Sequence, residues 1–214
     1  MAGMTMIEIR HKKTGEVLRQ VDGNSLMGKF MEGAKLQGAS FAGMDLTGVD
    51  FHRADLRDAD FTEAKLDSAS FAGALLKGSD FSGASLVKAD FTDCFASGAS
   101  FHGCNLTSAI LRYAKLKECD FSGANLTGAD MSVAELGCDF TGANLTKADL
   151  RGANLAGGVF DNARLLGANL SDAKMVGADL ENAKVEGAIM GGGRKLGPQI
   201  FKKKEQRPWW QIWG

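Results

Sequence analysis

Phenylalanine returns at Phe41, Phe61, Phe81, Phe101, Phe121, Phe140 and Phe160, so one aromatic position recurs about every 20 residues of this 214-residue chain. Within that unit runs a shorter beat of five. Leu36, Phe41, Leu46, Phe51, Leu56, Phe61, Leu66, Phe71, Leu76, Phe81, Leu86 and Phe91 follow one another at that spacing without a break. Such an internal repeat commits a chain to a stack of like units before local propensity is weighed. It constrains activity far less, because fold and function are separate properties.

Two residues before each large apolar position stands a small one, as at Ala34, Ala39, Ala54, Ala59, Ala64 and Ala69. Positions two apart point to the same side of an extended segment, so both face inward. The residue between them is polar and faces out, as in Ala54-Asp55-Leu56. Ser, Thr or a charge then precedes Gly, as in Thr127-Gly128, which suits a tight corner. Each five therefore reads as a very short strand and a turn. Phe and Leu alternate from Leu36 to Phe91, so the number of sides per coil is even. Two sides leave no interior, six leave a hole, and four bring facing backbones roughly 10 Å apart, the usual spacing of packed sheets. Beyond Phe91 the second aromatic file becomes Leu111, Met131, Leu150 and Leu170, which makes the true period 20 rather than 10. A hexapeptide β-helix, calcium-binding nonapeptides, leucine-rich repeats and helical repeats all fail on period or residue type.

Ala124-Asn125-Leu126-Thr127-Gly128, Ala143-Asn144-Leu145-Thr146-Lys147 and Ala148-Asp149-Leu150-Arg151-Gly152 resemble the A(D/N)LXX motif of pentapeptide-repeat proteins. The resemblance implies an all-β fold, a right-handed quadrilateral parallel β-helix. Some 32 fives, or about eight coils, cover residues 31–190. At about 4.8 Å per coil they make a rod roughly 38 Å long. Residues 1–30 read as an N-terminal cap and lead-in. There Met6 to His11 and Glu16 to Val21 alternate around Lys12-Lys13-Thr14-Gly15, the pattern of a β-hairpin. Residues 191–214 form a basic, Trp-rich tail, with Gly191-Gly192-Gly193 as a linker.

Residues 1–30 carry five basic and three acidic side chains, residues 31–190 carry 14 and 22, and residues 191–214 carry six and one. Glu8 and Arg10 interrupt any apolar leader, and no stretch approaches a membrane span, so a cytoplasmic location is expected. Cys94, Cys104, Cys119 and Cys138 all fall at the small inward position and are expected to be buried and unpaired. Cys119 and Cys138 stack in adjacent coils of one file.

Two irregularities interrupt the beat. Leu136 to Phe140 is one residue short, so that side must tighten. Ala96 stands where a large residue belongs, beside Phe95, where a polar one belongs; Leu75 shares its outward file one coil below. Either Phe95 turns inward to fill the space, or Leu75 and Phe95 form an exposed apolar patch. Trp209, Trp210 and Trp213 crowd the last six residues. They fold over the open end of the last coil or against the rod, dock on a partner or a second copy, or bind a membrane surface together with the nearby lysines. Leu75, Phe95, Trp209, Trp210 and Trp213 are thus the candidate partner-binding residues.

No catalytic, cofactor or metal constellation is legible. His52 and His102 lie half a coil out of phase, hence on opposite corners, and His11 sits in the hairpin. The chain is expected to be a non-catalytic scaffold offering four flat faces to a protein partner. The resemblance also implies an alternative, since some bacterial members resemble duplex DNA and protect or inhibit DNA gyrase. Asp60, Asp80, Asp120 and Asp139 on one face, and Asp50, Asp90, Asp130 and Asp149 on the opposite one, favour that alternative. The lysines and arginines of the remaining faces weaken it. Direct nucleic-acid binding is not expected.

Overall fold

The computed structural model describes residues 5–195 and residue 197. Strands β1 (Met6–Arg10) and β2 (Val17–Asp22) pair antiparallel, with Met6 opposite Asp22 and an irregularity between Ile9 and Arg10. The hairpin then docks on the first coil. His11 bridges to Ala39, the Ser40 N–H donates to the Arg10 carbonyl (2.8 Å), and the Lys12 N–H donates to the Gly38 carbonyl (2.8 Å). One side of the otherwise open first coil is thereby paired, which removes part of a hazardous strand edge.

From there the chain winds as a right-handed, four-sided parallel β-helix. Face 1 steps Phe30, Asp50, Ser70, Asp90 and onward to Ile189, each residue bridging to the one a coil later. Face 2 steps Lys35, Asp55, Leu75, Phe95, Lys115, Glu135 and onward to Lys174. Face 3 runs from Ser40 through Asp60 and Asp80 to Asp179, and face 4 from Asp45 through Lys65 to Lys184. An outward residue bonds down and its inward neighbour bonds up. The Leu75 N–H donates to Ala54 (2.9 Å), and the Leu76 N–H donates to Phe95 (2.8 Å). Coil geometry already holds at Leu26, which is buried and closes a turn through the Lys29 N–H (3.1 Å).

Each corner but the one at Gly137 is a four-residue turn in which the small inward residue bonds back to the preceding large one, as the Ala54 N–H does to Phe51 (2.9 Å). Its third residue has positive φ, the requirement of a type II turn. Arg53 (φ 55°), Tyr113 (φ 60°) and Val133 (φ 59°) fill that place where glycine would be easier. The outward Asp or Asn brackets the same corner. Asp60 Oδ1 accepts the Thr62 N–H (3.0 Å) and hydroxyl (2.8 Å), and Asn125 Oδ1 accepts both from Thr127 (3.2 and 2.7 Å). The recurrent acid or amide is thus an Asx-turn device.

Val133 is half exposed, at 52 %, so its side chain gains little from burial while its backbone bears the left-handed strain. Val133→Gly is expected to raise stability by about 0.5–1 kcal/mol, the relief of strain less the entropy of glycine. Urea unfolding would show it as a higher midpoint at unchanged slope; a lower midpoint would contradict it.

The interior is filled. The rings of Phe41, Phe61, Phe81, Phe101, Phe121, Phe140 and Phe160 stack in one file, with centroids 4.7 to 5.2 Å apart. Phe51, Phe71 and Phe91 stack in the facing file and meet the first edge-on, as Phe71 meets Phe81 (5.4 Å, 88°). The short side closes with a tighter turn, the Cys138 N–H donating to Leu136 (2.8 Å) across a three-residue γ-turn. Glycine suits this turn, because a Cβ at Gly137 would lie a tight 3.0 Å from the Ala156 carbonyl. Register then recovers: Phe121 and Phe140 stack at 5.2 Å and 7°.

The three glycines expected to be a linker are instead a short 3-10 turn, Gly191–Gly193. It returns the chain so that Lys195 bridges antiparallel to Ile189, and the Met190 N–H donates to Arg194 (2.8 Å). No helix among the described residues is long and apolar enough to cross a membrane.

Candidate functional site

Ala96 is fully buried while Phe95 is 44 % exposed and Leu75 38 % exposed, so Phe95 does not turn inward. The reason is the ladder. Phe95 bonds to Ala74 below through its N–H (3.0 Å), and its carbonyl accepts from Leu76 (2.8 Å). A strand residue paired in this way keeps its side chain on the outer face. Leu75 and Phe95 bridge directly and form an apolar patch in the middle of face 2. Two places before Ala96, Cys94 stands where alanine is usual; its buried sulfur restores some of the volume that alanine gives up.

Above the patch, Lys115 Nζ lies 4.7 Å from the centre of the Phe95 ring, a cation–π contact. Beside it the corner between faces 1 and 2 carries Tyr113 (54 % exposed) and Val133. A shallow open groove of about 390 Å³ lies between patch and corner, with Ala72 and Gly73 as its floor, Phe95 and Tyr113 along it, and Arg53 and Lys115 at its ends. The small floor residues make the recess, since the coils below and above carry Arg53 and Asp93 at the same corner. Tyr113 and Val133 escape a reading of the five-residue motif, which leaves corner positions unspecified. Counting by 20 places Arg53, Gly73, Asp93, Tyr113 and Val133 in one corner file and reveals their neighbourhood.

The electrostatics of this face differ from those of its neighbours. Arg57 donates to Asp55 through Nε (2.8 Å) and a terminal nitrogen (2.6 Å), and that hydrogen-bonded pair holds the Asp55 carboxyl below its ordinary range. Lys117 pairs with Glu135 (3.2 Å) and Arg112 with Asp130 (3.1 Å). Arg53, Lys77 and Lys115 make no ion pair among the described residues. Face 3 instead stacks Asp60 on Asp80 and Asp120 on Asp139.

The remaining sequence candidates do not converge. His52, at the corner between faces 1 and 2, lines the groove, while His102, at the opposite corner, hydrogen-bonds Ser122 Oγ through Nδ1 (2.8 Å). All four cysteines are buried and free. The Cys104, Cys119 and Cys138 thiols donate to the carbonyls of Phe81 (2.8 Å), Ala96 (2.9 Å) and Leu116 (2.6 Å). Burial pushes the Cys104 thiol up to about 12 and raises Cys94 and Cys138 as well, so these sulfurs are poor nucleophiles at neutral pH. No group of three or more His, Cys, Asp or Glu among the described residues is arranged to hold a metal ion. Trp209, Trp210 and Trp213 lie outside the described residues.

Comparison with known proteins places this architecture. Among solved structures, HetL, a pentapeptide repeat protein involved in heterocyst differentiation regulation from the cyanobacterium Nostoc sp. strain PCC 7120, is similar at 34% identity with a TM-score of 0.61, over 78% of this chain and 76% of that one. QnrB1, a plasmid-mediated fluoroquinolone resistance protein, matches at 20% identity and a TM-score of 0.46, over 78% of this chain and 92% of that one. A pentapeptide repeat protein of the Arabidopsis thaliana thylakoid lumen matches at 31% identity and a TM-score of 0.34, over 54% and 68%. No curated protein matches. The family model described as Pentapeptide repeats matches in eight copies, over residues 31–62, 54–93, 84–123, 99–136, 119–160 and 159–192. Those matches cover the coils built above, and the chain belongs to the pentapeptide-repeat family.

Proposed function

We propose that this protein is a non-catalytic cytoplasmic scaffold, a rigid rod that presents face 2 to a protein partner. One observation carries the reading: Leu75 and Phe95 stand outward and adjacent in a ladder whose other members, Lys35, Asp55, Lys115, Glu135, Asn154 and Lys174, are all polar. Adjacent exposed apolar side chains rimmed by charge mark interaction surfaces. A filled interior and unreactive thiols fit a rod whose chemistry lies in its surface. The likeness to HetL, a protein involved in differentiation regulation and 34% identical over most of both chains, supports a regulatory role.

Affinity capture from the native cytosol with wild type and with Phe95→Asp, followed by reconstitution of any differential protein from purified components, tests the reading. A partner that binds the wild-type rod and is lost with Phe95→Asp is the expected result. Equal recovery by both forms would remove face 2 as the partner surface.

The duplex-mimic alternative rests on the stacked acids of face 3. It is weakened by what those acids do. Asp60, Asp80, Asp120 and Asp139 each accept the backbone N–H two residues on at Oδ1, and Ser100 and Val159 interrupt their file. In a DNA gyrase supercoiling assay the protein is expected neither to inhibit the enzyme nor to protect it from quinolones at micromolar concentration. Either effect would restore the mimic.

A further inference from the structure

Resting on the scaffold reading, we infer that the face 2 groove takes an acidic polypeptide segment with an aromatic or aliphatic anchor. The anchor enters over Ala72 and Gly73 against Phe95 and Tyr113, and its flanking carboxylates meet Arg53 and Lys115.

Three observations lead there. First, the groove combines an apolar wall with cations at its ends, and those cations have no carboxylate partner among the described residues. Unpaired cations beside an apolar centre are available to a ligand without first breaking an internal ion pair. Asp93 is the one carboxylate lining the groove, and Asp55 on the same face is already held by Arg57. Secondly, two of the other three faces disfavour acidic chains. Residues 31–190 carry 22 acidic against 14 basic side chains, with acid ladders on faces 1 and 3. Faces 1 and 3 repel an acidic segment, and face 4, which carries Lys65, Arg164 and Lys184, has no apolar residue in its ladder to seat an anchor, so face 2 is the landing place. Thirdly, charge disfavours the chain's own C-terminal segment as occupant. Residues 191–214 carry six basic residues and one acidic, the same sign as the groove's rim.

Lys115 has two roles in this arrangement. Its ammonium lies 4.7 Å from the centre of the Phe95 ring and brings positive charge beside the groove where an anchor arrives. A charge-reversing change there acts on affinity and on salt dependence together, whereas Phe95→Asp removes the apolar contact.

Fluorescence anisotropy with the full chain and three labelled synthetic peptides tests the inference. One peptide of about 12 residues is Glu-rich with a central Leu-Phe pair, the second has Ser for that pair, and the third has Lys for every Glu. The first is expected to bind at least about tenfold more tightly than the other two and to weaken with added salt. Lys115→Glu and Phe95→Asp are each expected to reduce that binding about tenfold. Both positions are exposed, and a circular dichroism melt unchanged from wild type confirms that the fold survives. Equal affinity for the Glu and Lys peptides, with both still lost on Phe95→Asp, overturns the acidic preference and leaves the scaffold reading standing. Absence of any Phe95-dependent peptide binding overturns the inference, while the scaffold reading stands or falls with the capture experiment. A Phe95-dependent doubling of mass in light scattering overturns the inference in favour of a second copy of the chain.

Discussion

Phe81→Ala is expected to destabilise the protein by about 3–5 kcal/mol, the usual cost of truncating a fully buried aromatic side chain. The ring stacks on Phe61 (4.7 Å, 3°) and Phe101 (4.9 Å, 3°) and meets Phe71 and Phe91 edge-on at 5.4 and 5.8 Å. Four aromatic neighbours lose a partner at once, and strand ladders on all four sides limit collapse into the void. A solenoid is coupled only through neighbouring coils, so the damage should also divide unfolding into two steps, one for each side of the weakened coil. Phe81→Leu should cost less than half as much, because the facing file already accepts Leu111 and Met131 after Phe91. Urea unfolding followed by circular dichroism measures both. A loss below about 1 kcal/mol for the alanine variant would mean that the aromatic file is not what holds adjacent coils together.

Gly38→Ala is expected to cost about 2–4 kcal/mol, well beyond the same change at Gly43. Both glycines have the left-handed φ of a corner, 67° and 65°, so the backbone strain of adding a Cβ is common to the two, about 1–2 kcal/mol. They differ in what lies above them. A Cβ on Gly43 meets nothing within 4 Å, whereas one on Gly38 comes within 2.6 Å of His11 Cδ2. The imidazole cannot easily withdraw. Its Nδ1 accepts the N–H groups of Lys13 (3.3 Å) and Thr14 (3.2 Å), and the backbone beside it is tied to Gly38 and Ser40. The difference between the variants therefore isolates the docking of the hairpin, at about 1–3 kcal/mol of overpacking. Hydrogen exchange should show early opening of β1 and β2 in Gly38→Ala but not in Gly43→Ala. Equal losses would mean that the hairpin contributes little to the first coil.

Much of the fold is legible without coordinates. In a coiled stack each residue's neighbour along the axis lies one coil away in sequence, so the period of the pattern and the spacing of the contacts are the same number. Phe41 must stack on Phe61 once the period is 20, and it does, at 4.9 Å. The outward polar position is legible for the same reason, although its purpose is not. Asp60 and Asn125 recur because their side chains bracket a corner, and a bracket of that kind is invisible until the Thr62 and Thr127 N–H groups are seen pointing at them. The missing residue between Leu136 and Phe140 announces a tightened side. That it closes as a γ-turn is seen only in the Cys138 N–H bonding to Leu136, with the Ala156 carbonyl of the next coil crowding the Gly137 position.

The candidate site was legible in part. Leu75 and Phe95 break a polar file, which singles them out, yet the composition of the chain allows Phe95 to face either way. Ladder bonding to Ala74 and Leu76 points it outward. Tyr113 and Lys115 join it only because the corner and the face meet in space.

The chain's own repeat therefore dictates the square cross-section, the axial register, the filled core and the family, since in a solenoid those properties depend on contacts at one fixed sequence separation. Where contacts obey no period, the pattern is silent and packing rules instead. The seating of His11 over Gly38, the return of Lys195 onto Ile189, the Lys115 ammonium over Phe95 and the groove above Gly73 are all of that second kind.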